Sequence, residues 1–499
     1  MKHPFKPLGL KEDPAAAYDA VIVGAGVGGL VLANLLAREG MQVLLLEQHY
    51  VVGGYCSSFQ RKGYCFDAGS HFYPLLGNPN SMTGKLIADI GVTNPWIQMD
   101  PVDHFHLPGG ECFSVPVDFD AYLAKLKQRF PVASDALDQF FKEVRGAYMY
   151  GLLEFFKGKH AAQIEKYLNW SVQDVLDRHF TDPELKLLLA ADCAHWGAPP
   201  SRTSFVFDSM LRLSYFLGNY YPKGSSQRFV DELALRFQEA GGTIALRASV
   251  ERIEIDANRV QGVRFAYGVL SRRRSVSVAA PIVISNADML QTYNKLLDPL
   301  WVAPERLSVL RSMRKTYPCY LMHLGIRGMS ADVLDRAQGY YWDSHDLDAV
   351  GADALKFKLF VPSLYDPDVA PADCHVMLVQ KIVAESHDAI TNWPEHKARV
   401  EHRLKTSLNQ VVPGLLDRAE VCLTASAMTS HRYTLNSDGA MLGWEMSPDQ
   451  VGRDRPGIES EVEGLYFVGH WTQPGGGITP VIMSSVQVAE RILDKKVAY

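Results

Sequence analysis

The chain has 499 residues, 47% of them hydrophobic, which is enough to bury a large core and to build more than one domain. Its net charge of −6 excludes an overall basic field, so charge alone recruits neither nucleic acid nor an anionic lipid surface, although a local basic patch stays open. The seven cysteines (Cys56, Cys65, Cys112, Cys193, Cys319, Cys374 and Cys422) contain no C-x-x-C pair, so no metal centre and no disulfide framework are expected, and a reducing, cytoplasmic compartment fits.

Residues 1–18 mix Lys, Pro, Glu and Asp and lack the continuous apolar stretch of a secretory signal. The longest apolar run, 20–37, carries no charge, but its glycines fall where a nucleotide-binding turn needs them, so a membrane span is the poorer reading. Residues 18–23 read as a buried strand, followed by Gly24-Ala-Gly26-Val-Gly28-Gly29, a helix that stops at Gly40, and a second strand, 42–46, ending at Glu47. Gly24 permits the tight strand-to-helix turn, Gly26 lets the backbone approach a pyrophosphate, and Gly29 lets helix and strand pack closely. Phosphates then rest on the unpaired amides at the helix start, where the dipole favours an anion. Glu47 can accept hydrogen bonds from both ribose hydroxyls and would repel a 2′-phosphate, which disfavours NADP.

After Glu47 come Gly53-Gly54, Ser57-Ser58 and Gly63-Tyr-Cys-Phe66-Asp67-Ala-Gly69-Ser70-His71. This extended pattern resembles the flavoprotein family that includes amine oxidases, carotenoid desaturases and isomerases, and retinol saturase, and is most similar to the isomerase and saturase branch. The resemblance implies FAD rather than NAD, an α/β fold with a discontinuous Rossmann-type FAD-binding domain, and a mixed α+β substrate domain. Pro222-Lys-Gly-Ser-Ser-Gln227, a Gly241-Gly242 turn and a strand through Val250 are similar to the family's central flavin segment, and Val283-Ile-Ser-Asn-Ala-Asp288 to its return strand. Near the C-terminus, Gly464-Leu-Tyr-Phe-Val-Gly469 and Pro474-Gly-Gly-Gly477-Ile478 resemble the second flavin signature, in which a helix start faces the isoalloxazine. The cofactor residues implied are Gly24, Gly26, Gly28, Gly29, Glu47, Gly53, Gly54, Ser57, Gly69, Ser70, Val250, Gly469, His470, Gly476, Gly477 and Ile478. His470 departs from the pattern, because many members carry Asp or Glu there.

With flavin motifs near both ends and in the middle, the FAD-binding domain is expected over 1–105, 220–300 and 415–499, and the substrate domain over 106–219 and 301–414. Two aromatic stretches, Tyr148-Met-Tyr-Gly-Leu-Leu-Glu-Phe-Phe156 and Met210-Leu-Arg-Leu-Ser-Tyr-Phe-Leu-Gly-Asn-Tyr-Tyr221, read either as core helices or as a membrane-facing tunnel mouth, so peripheral membrane contact stays open. Arg272-Arg273-Arg274 reads as a solvated hairpin tip, with a lipid headgroup contact as the sharper alternative.

Flavin carries the redox chemistry itself, so few side chains are demanded of the sequence. His71 is the candidate proton donor or acceptor, against the plainer reading of a histidine that shapes the pocket. Tyr73, Trp444, Glu445 and Trp471 are placed in the pocket by neighbourhood along the chain. No second dinucleotide fingerprint is present, so the electron partner is external and stays unassigned. The resemblance implies a lipophilic polyene of carotenoid or retinoid type, with carbon–carbon double bonds desaturated, saturated or isomerised. An amine oxidase shares the fold and is the alternative; a flavin-free prenyl-binding escort protein is the second.

Overall fold

The computed structural model describes residues 3–269, 273–351, 354–384 and 390–497. A five-stranded sheet runs in the order Leu465–Phe467, Ile282–Ser285, Ala20–Val23, Val43–Glu47, Thr243–Leu246, with every pairing parallel. Parallel strands are covered on both faces, which is why these segments are short apolar runs without polar alternation. Helix Val27–Ala37 is buried along its whole length, packed between helices Ser226–Glu239 and Ile478–Leu493. The uncharged run of 20–37 is therefore the centre of a protein core. Among the described residues no helix is long and apolar enough to cross a membrane.

An antiparallel three-stranded sheet, Ala248–Asp256, Arg259–Tyr267 and Arg274–Ala279, flanks this layer. Arg272 lies outside the described residues. Arg274 sits in the last of these strands and pairs with Asp13.

The second large sheet has seven strands, in the order Ala419–Ala425, Cys319–Arg327, Cys374–Ile382, Leu355–Phe360, Gly339–Trp342, Asp103–His106, Cys112–Val115. All its pairings are antiparallel except that of Gly339–Trp342 with Asp103–His106. This corrects two expected domain edges. Ala419–Ala425 pairs with Cys319–Arg327, Cys422 opposite Leu324, so the last flavin-side segment begins after Ala425 and not at 415. The edge drawn at 105 cuts through Asp103–His106, whose ladder belongs wholly to the seven-stranded sheet.

Most of both aromatic stretches packs into the protein, although Met149 and Leu217 are exposed and Leu211 and Tyr215 line a cavity. Helix Ser134–Gly151, continued by a π-helical turn Leu152–Phe156, packs on helix Phe205–Phe216 so closely that a Cβ on Gly151 would stand 2.7 Å from Met210 Sδ. Within that packing Arg212 is buried and bonds two carboxylates, Asp192 at 3.1 Å and Asp208 at 3.0 Å. Removing the cation alone leaves two desolvated carboxylates facing each other. Arg212→Met is expected to destabilise the protein by about 3–5 kcal/mol, and adding Asp208→Asn to recover part of that loss, as read from urea-unfolding midpoints.

Candidate functional site

The carboxyl ends of the parallel strands converge on one junction. Gly24, in the left-handed region (φ 99°), donates its N–H to Leu46 O at 2.8 Å and turns the chain into the helix. Asn286, just past strand Ile282–Ser285, donates from Nδ2 to Gly24 O at 3.0 Å. Its side chain fills the space that glycines leave empty: added Cβ atoms would meet Asn286 at 3.1 Å from Gly26, 2.9 Å from Gly28 and 2.6 Å from Gly469. A Cβ on Gly29 would instead strike the Gly24 carbonyl oxygen at 2.2 Å, as its helix-packing role requires. Gly53 N–H bonds Ala25 O at 2.8 Å and brings the 53–57 turn against the helix start.

Glu47 ends its strand buried, its two oxygens accepting from Ala25 N–H at 2.9 Å and His49 N–H at 2.8 Å. Burial raises its pKa and the backbone donors oppose that rise. Asp67 ties the next layer: it accepts from Ser58 Oγ at 2.7 Å, Tyr221 Oη at 2.6 Å and Ser226 N–H at 2.9 Å. That single carboxylate ties strand Tyr64–Asp67 to Ser58, Tyr221 and the start of helix Ser226–Glu239.

A cavity of about 820 Å³ runs from this junction into the space beside the seven-stranded sheet. Its wall includes Gly24, Gly26, Gly28, Glu47, Gly53, Gly54, Ser57, Gly69, Ser70, His71, Val250, Gly469, His470, Gly477 and Ile478. Gly29 and Gly476 do not line it. Gly476 is a packing position, since its Cβ would reach Leu442 O at 2.5 Å. The glycine surfaces, the acid closing the second strand and the start of the 16-residue helix Ile478–Leu493 are the features that FAD requires, so the residues present fit the cofactor.

Four expected pocket residues lie elsewhere. Tyr73 is buried against Trp96 and Phe229, and Trp444 and Trp471 pack edge to face at 4.8 Å in the second core cluster. Glu445 pairs with Arg202 at 3.1 Å and Arg314 at 3.3 Å. Nearness in sequence misled here because these side chains point away from the cavity. His470 does line it. Its Nε2 lies 3.4 Å from Asn436 Oδ1, and burial, then the Arg455 charge, push its pKa down to about 3. Arg455 is itself buried, with Nη2 donating to His470 O at 2.6 Å and Nε to Thr472 O at 3.1 Å.

At the chamber end the expected His71 is joined by His195, Tyr340, Lys358 and Asp103, which sequence reasoning missed. His71 is 2% exposed, with Nδ1 3.3 Å from Gly69 O and Nε2 buried without a hydrogen bond in the protein. Burial, then His195 and Lys358, hold its pKa well below the usual histidine value, so it is neutral. His195 stacks edge to face on it at 4.8 Å and bonds Tyr340 through Nδ1. Lys358 pairs with Asp103, both buried, and its Nζ stands 4.6 Å from the Phe72 ring and 4.3 Å from that of Tyr340.

Two outcomes follow. Gly26→Val, whose side chain would press on the Asn286 amide behind the cradle, is expected to abolish the flavin absorption of the purified protein. Gly29→Ala should instead cost about 1–3 kcal/mol of stability through overpacking, read by thermal unfolding. For His195, burial puts the folded-state pKa at about 3, below the unfolded value, so its proton is taken up on unfolding. Its contribution is complete above the unfolded pKa and is lost as pH falls. Wild type is expected to lose about 2 kcal/mol more than His195→Gln between pH 6.5 and 5, measured by urea unfolding across that range.

A sequence model described as flavin containing amine oxidoreductase matches residues 27–493. Prolycopene isomerase 1, chloroplastic, of Oncidium hybrid cultivar is 26% identical over 517 residues, covering 97% of this chain and 85% of its own. All-trans-retinol 13,14-reductase of Danio rerio is 32% identical over 303 residues, 56% of this chain and 49% of that protein. A solved oxidoreductase from Methanosarcina mazei shares the fold with a TM-score of 0.67 at 17% identity, covering 94% of this chain and 99% of that one. A family match running nearly end to end, over a chain whose glycines, Glu47 and terminal helix build a dinucleotide cradle, has one reading: the chain belongs to the flavin containing amine oxidoreductase family and is an FAD-dependent enzyme.

Proposed function

We propose that the enzyme acts on carbon–carbon double bonds of a lipophilic polyene of carotenoid or retinoid type, by desaturation, saturation or cis–trans isomerisation. The observation that carries this is the continuity of the cavity: beyond the flavin cradle it runs between Phe72, Trp196, Leu211, Leu321, Leu355 and Ile382. A wall of that kind gains from each methylene it covers, about 0.8 kcal/mol per buried CH₂. FAD, when bound, supplies two-electron hydride exchange or a reduced ring that assists isomerisation.

In this reading the backbone of Gly24, Gly26 and Gly28, which lies on the cavity wall, meets the pyrophosphate at the helix start, and Glu47 holds the ribose. Ala248–Val250 flank the adenosine side, and Gly53, Gly54, Ser57, Gly69 and Ser70 follow the cofactor toward its ring. Gly469, His470, Gly477 and Ile478 close the other side, with the amides of helix Ile478–Leu493 favouring negative charge there. His71 meets the substrate as a neutral acceptor through Nε2, not as a proton donor, because burial and its neighbours suppress its charged form. Any electrons exchanged pass to or from oxygen, a quinone or another external carrier, with none exchanged overall for an isomerase, and the substrate's greasiness favours loading at a membrane surface.

The amine oxidase alternative fits less well. An ammonium substrate would stand near Lys358, whose pairing already engages Asp103. An absorption experiment decides between them. Anaerobic mixing of the oxidised holoenzyme with polyenes is expected to bleach the flavin band near ~450 nm or, for an isomerase or saturase, to yield product only after chemical reduction of the flavin. Bleaching by amines alone would overturn the proposal.

A further inference from the structure

Arg455 is a buried cation without an anion. Only 1% of it is exposed, and every acceptor it meets is neutral. Nε donates to Thr472 O at 3.1 Å, and Nη1 to Met446 Sδ at 3.1 Å and Gln450 O at 3.5 Å. Nη2 donates to His470 O at 2.6 Å and Trp444 O at 3.3 Å. Among the described residues no carboxylate pairs with it, whereas buried Arg212 has Asp192 and Asp208, and buried Lys358 has Asp103. Burial pushes its pKa down to about 9, which still leaves it charged at neutral pH. The carbonyl dipoles offset part of the cost of burying it, but they do not neutralise the charge.

The guanidinium stands directly behind the C-terminal flavin turn. It bonds two carbonyls of that turn, and a Cβ on Gly475 would lie 3.6 Å from its Cζ. The same turn presents Gly469, His470, Gly477 and Ile478 to the cavity. The charge is felt at that wall: after burial, Arg455 is the second cause of the low pKa of His470. The imidazole is therefore neutral and sets no anion against the guanidinium. A charge in such dry surroundings is weakly screened.

Resting on the placement of the flavin ring against Gly477 and Ile478, we infer that Arg455 is a positioning residue for the redox chemistry, an unpaired cation held behind the turn to favour the reduced ring. Uptake of two electrons and one proton by oxidised FAD leaves one negative charge on the ring. A fixed cation nearby stabilises that product without touching it. The start of helix Ile478–Leu493 adds its dipole to the same effect.

The test is the two-electron reduction equilibrium of the bound flavin, measured on the holoenzyme against a reference redox dye. Arg455→Met is expected to shift it at least about tenfold toward the oxidised form, about 30 mV. Arg455→Lys, which keeps the charge but loses the planar fork of donors, should stay within about threefold of wild type. Ile478→Asp, which sets a carboxylate at the helix start, should shift it toward the oxidised form and reports on the placement of the ring alone. No shift in Arg455→Met, or equal shifts in the Met and Lys variants, overturns the inference; a shifted Ile478→Asp then leaves the placement standing. No shift in Ile478→Asp overturns the placement, and the inference with it. Should Arg455→Met not hold flavin, Arg455→Gln, which is neutral but keeps an N–H donor group, takes its place. Should neither hold it, Arg455→Lys decides: a shift within about threefold supports the inference, and one of about tenfold overturns it. Loss of flavin from Arg455→Lys as well overturns it, because the requirement is then for shape and not for charge.

Discussion

The Asn286 side chain is the wedge on which the cofactor half of this protein depends. It bonds the Gly24 carbonyl and occupies the volume between Gly26, Gly28 and Gly469, so three distant segments meet around one amide. A methyl group on any of those glycines would press on it at 2.6–3.1 Å, which turns a loose preference for small residues into a fixed set of positions. The Rossmann turn, the return strand and the C-terminal signature are thus one packing unit. Asp67 performs the matching task one layer out, where it joins the strand Tyr64–Asp67 to the start of helix Ser226–Glu239.

Much of this half was legible in the sequence because its constraints are local. A glycine at φ 99° or an acid at a strand end leaves its mark within a few residues, and the spacing of the parts carries the rest. Asn286 itself stood in a quoted motif without a role, since its partners lie in three other stretches of chain. The chamber was harder. Strand alternation along Leu355–Phe360 sets Lys356 and Lys358 on the face opposite Phe357 and Leu359. In the fold, Phe357 and Leu359 pack into one core, while Lys358 shares its face with Phe360 on the cavity side. Period-two reasoning tells the two faces apart but cannot say that both are buried. Trp444 and Trp471 failed for the opposite reason: nearness to the C-terminal motif says nothing of which way a ring points.

The chamber joins two kinds of surface that are usually kept apart. Its length is hydrocarbon, and one end is a neutral cluster of His71, His195, Tyr340, Lys358 and Asp103. Burying such groups is costly unless each is paired, and all but the His71 acceptor have a partner within the protein. The cluster therefore keeps its shape without a ligand, so recognition does not wait on rearrangement.

The order of strands in the parallel sheet also bears on how the enzyme comes into being. Ala20–Val23 leaves the ribosome well before Leu465–Phe467, the outer partner of Ile282–Ser285. At about 5–20 residues per second, tens of seconds separate the two ends. From its own synthesis until Leu465–Phe467 arrives, Ile282–Ser285 is an open edge, and the place that Gly469 and helix Ile478–Leu493 will fill is exposed to water. The cradle is consequently complete only once helix Ile478–Leu493 has been made.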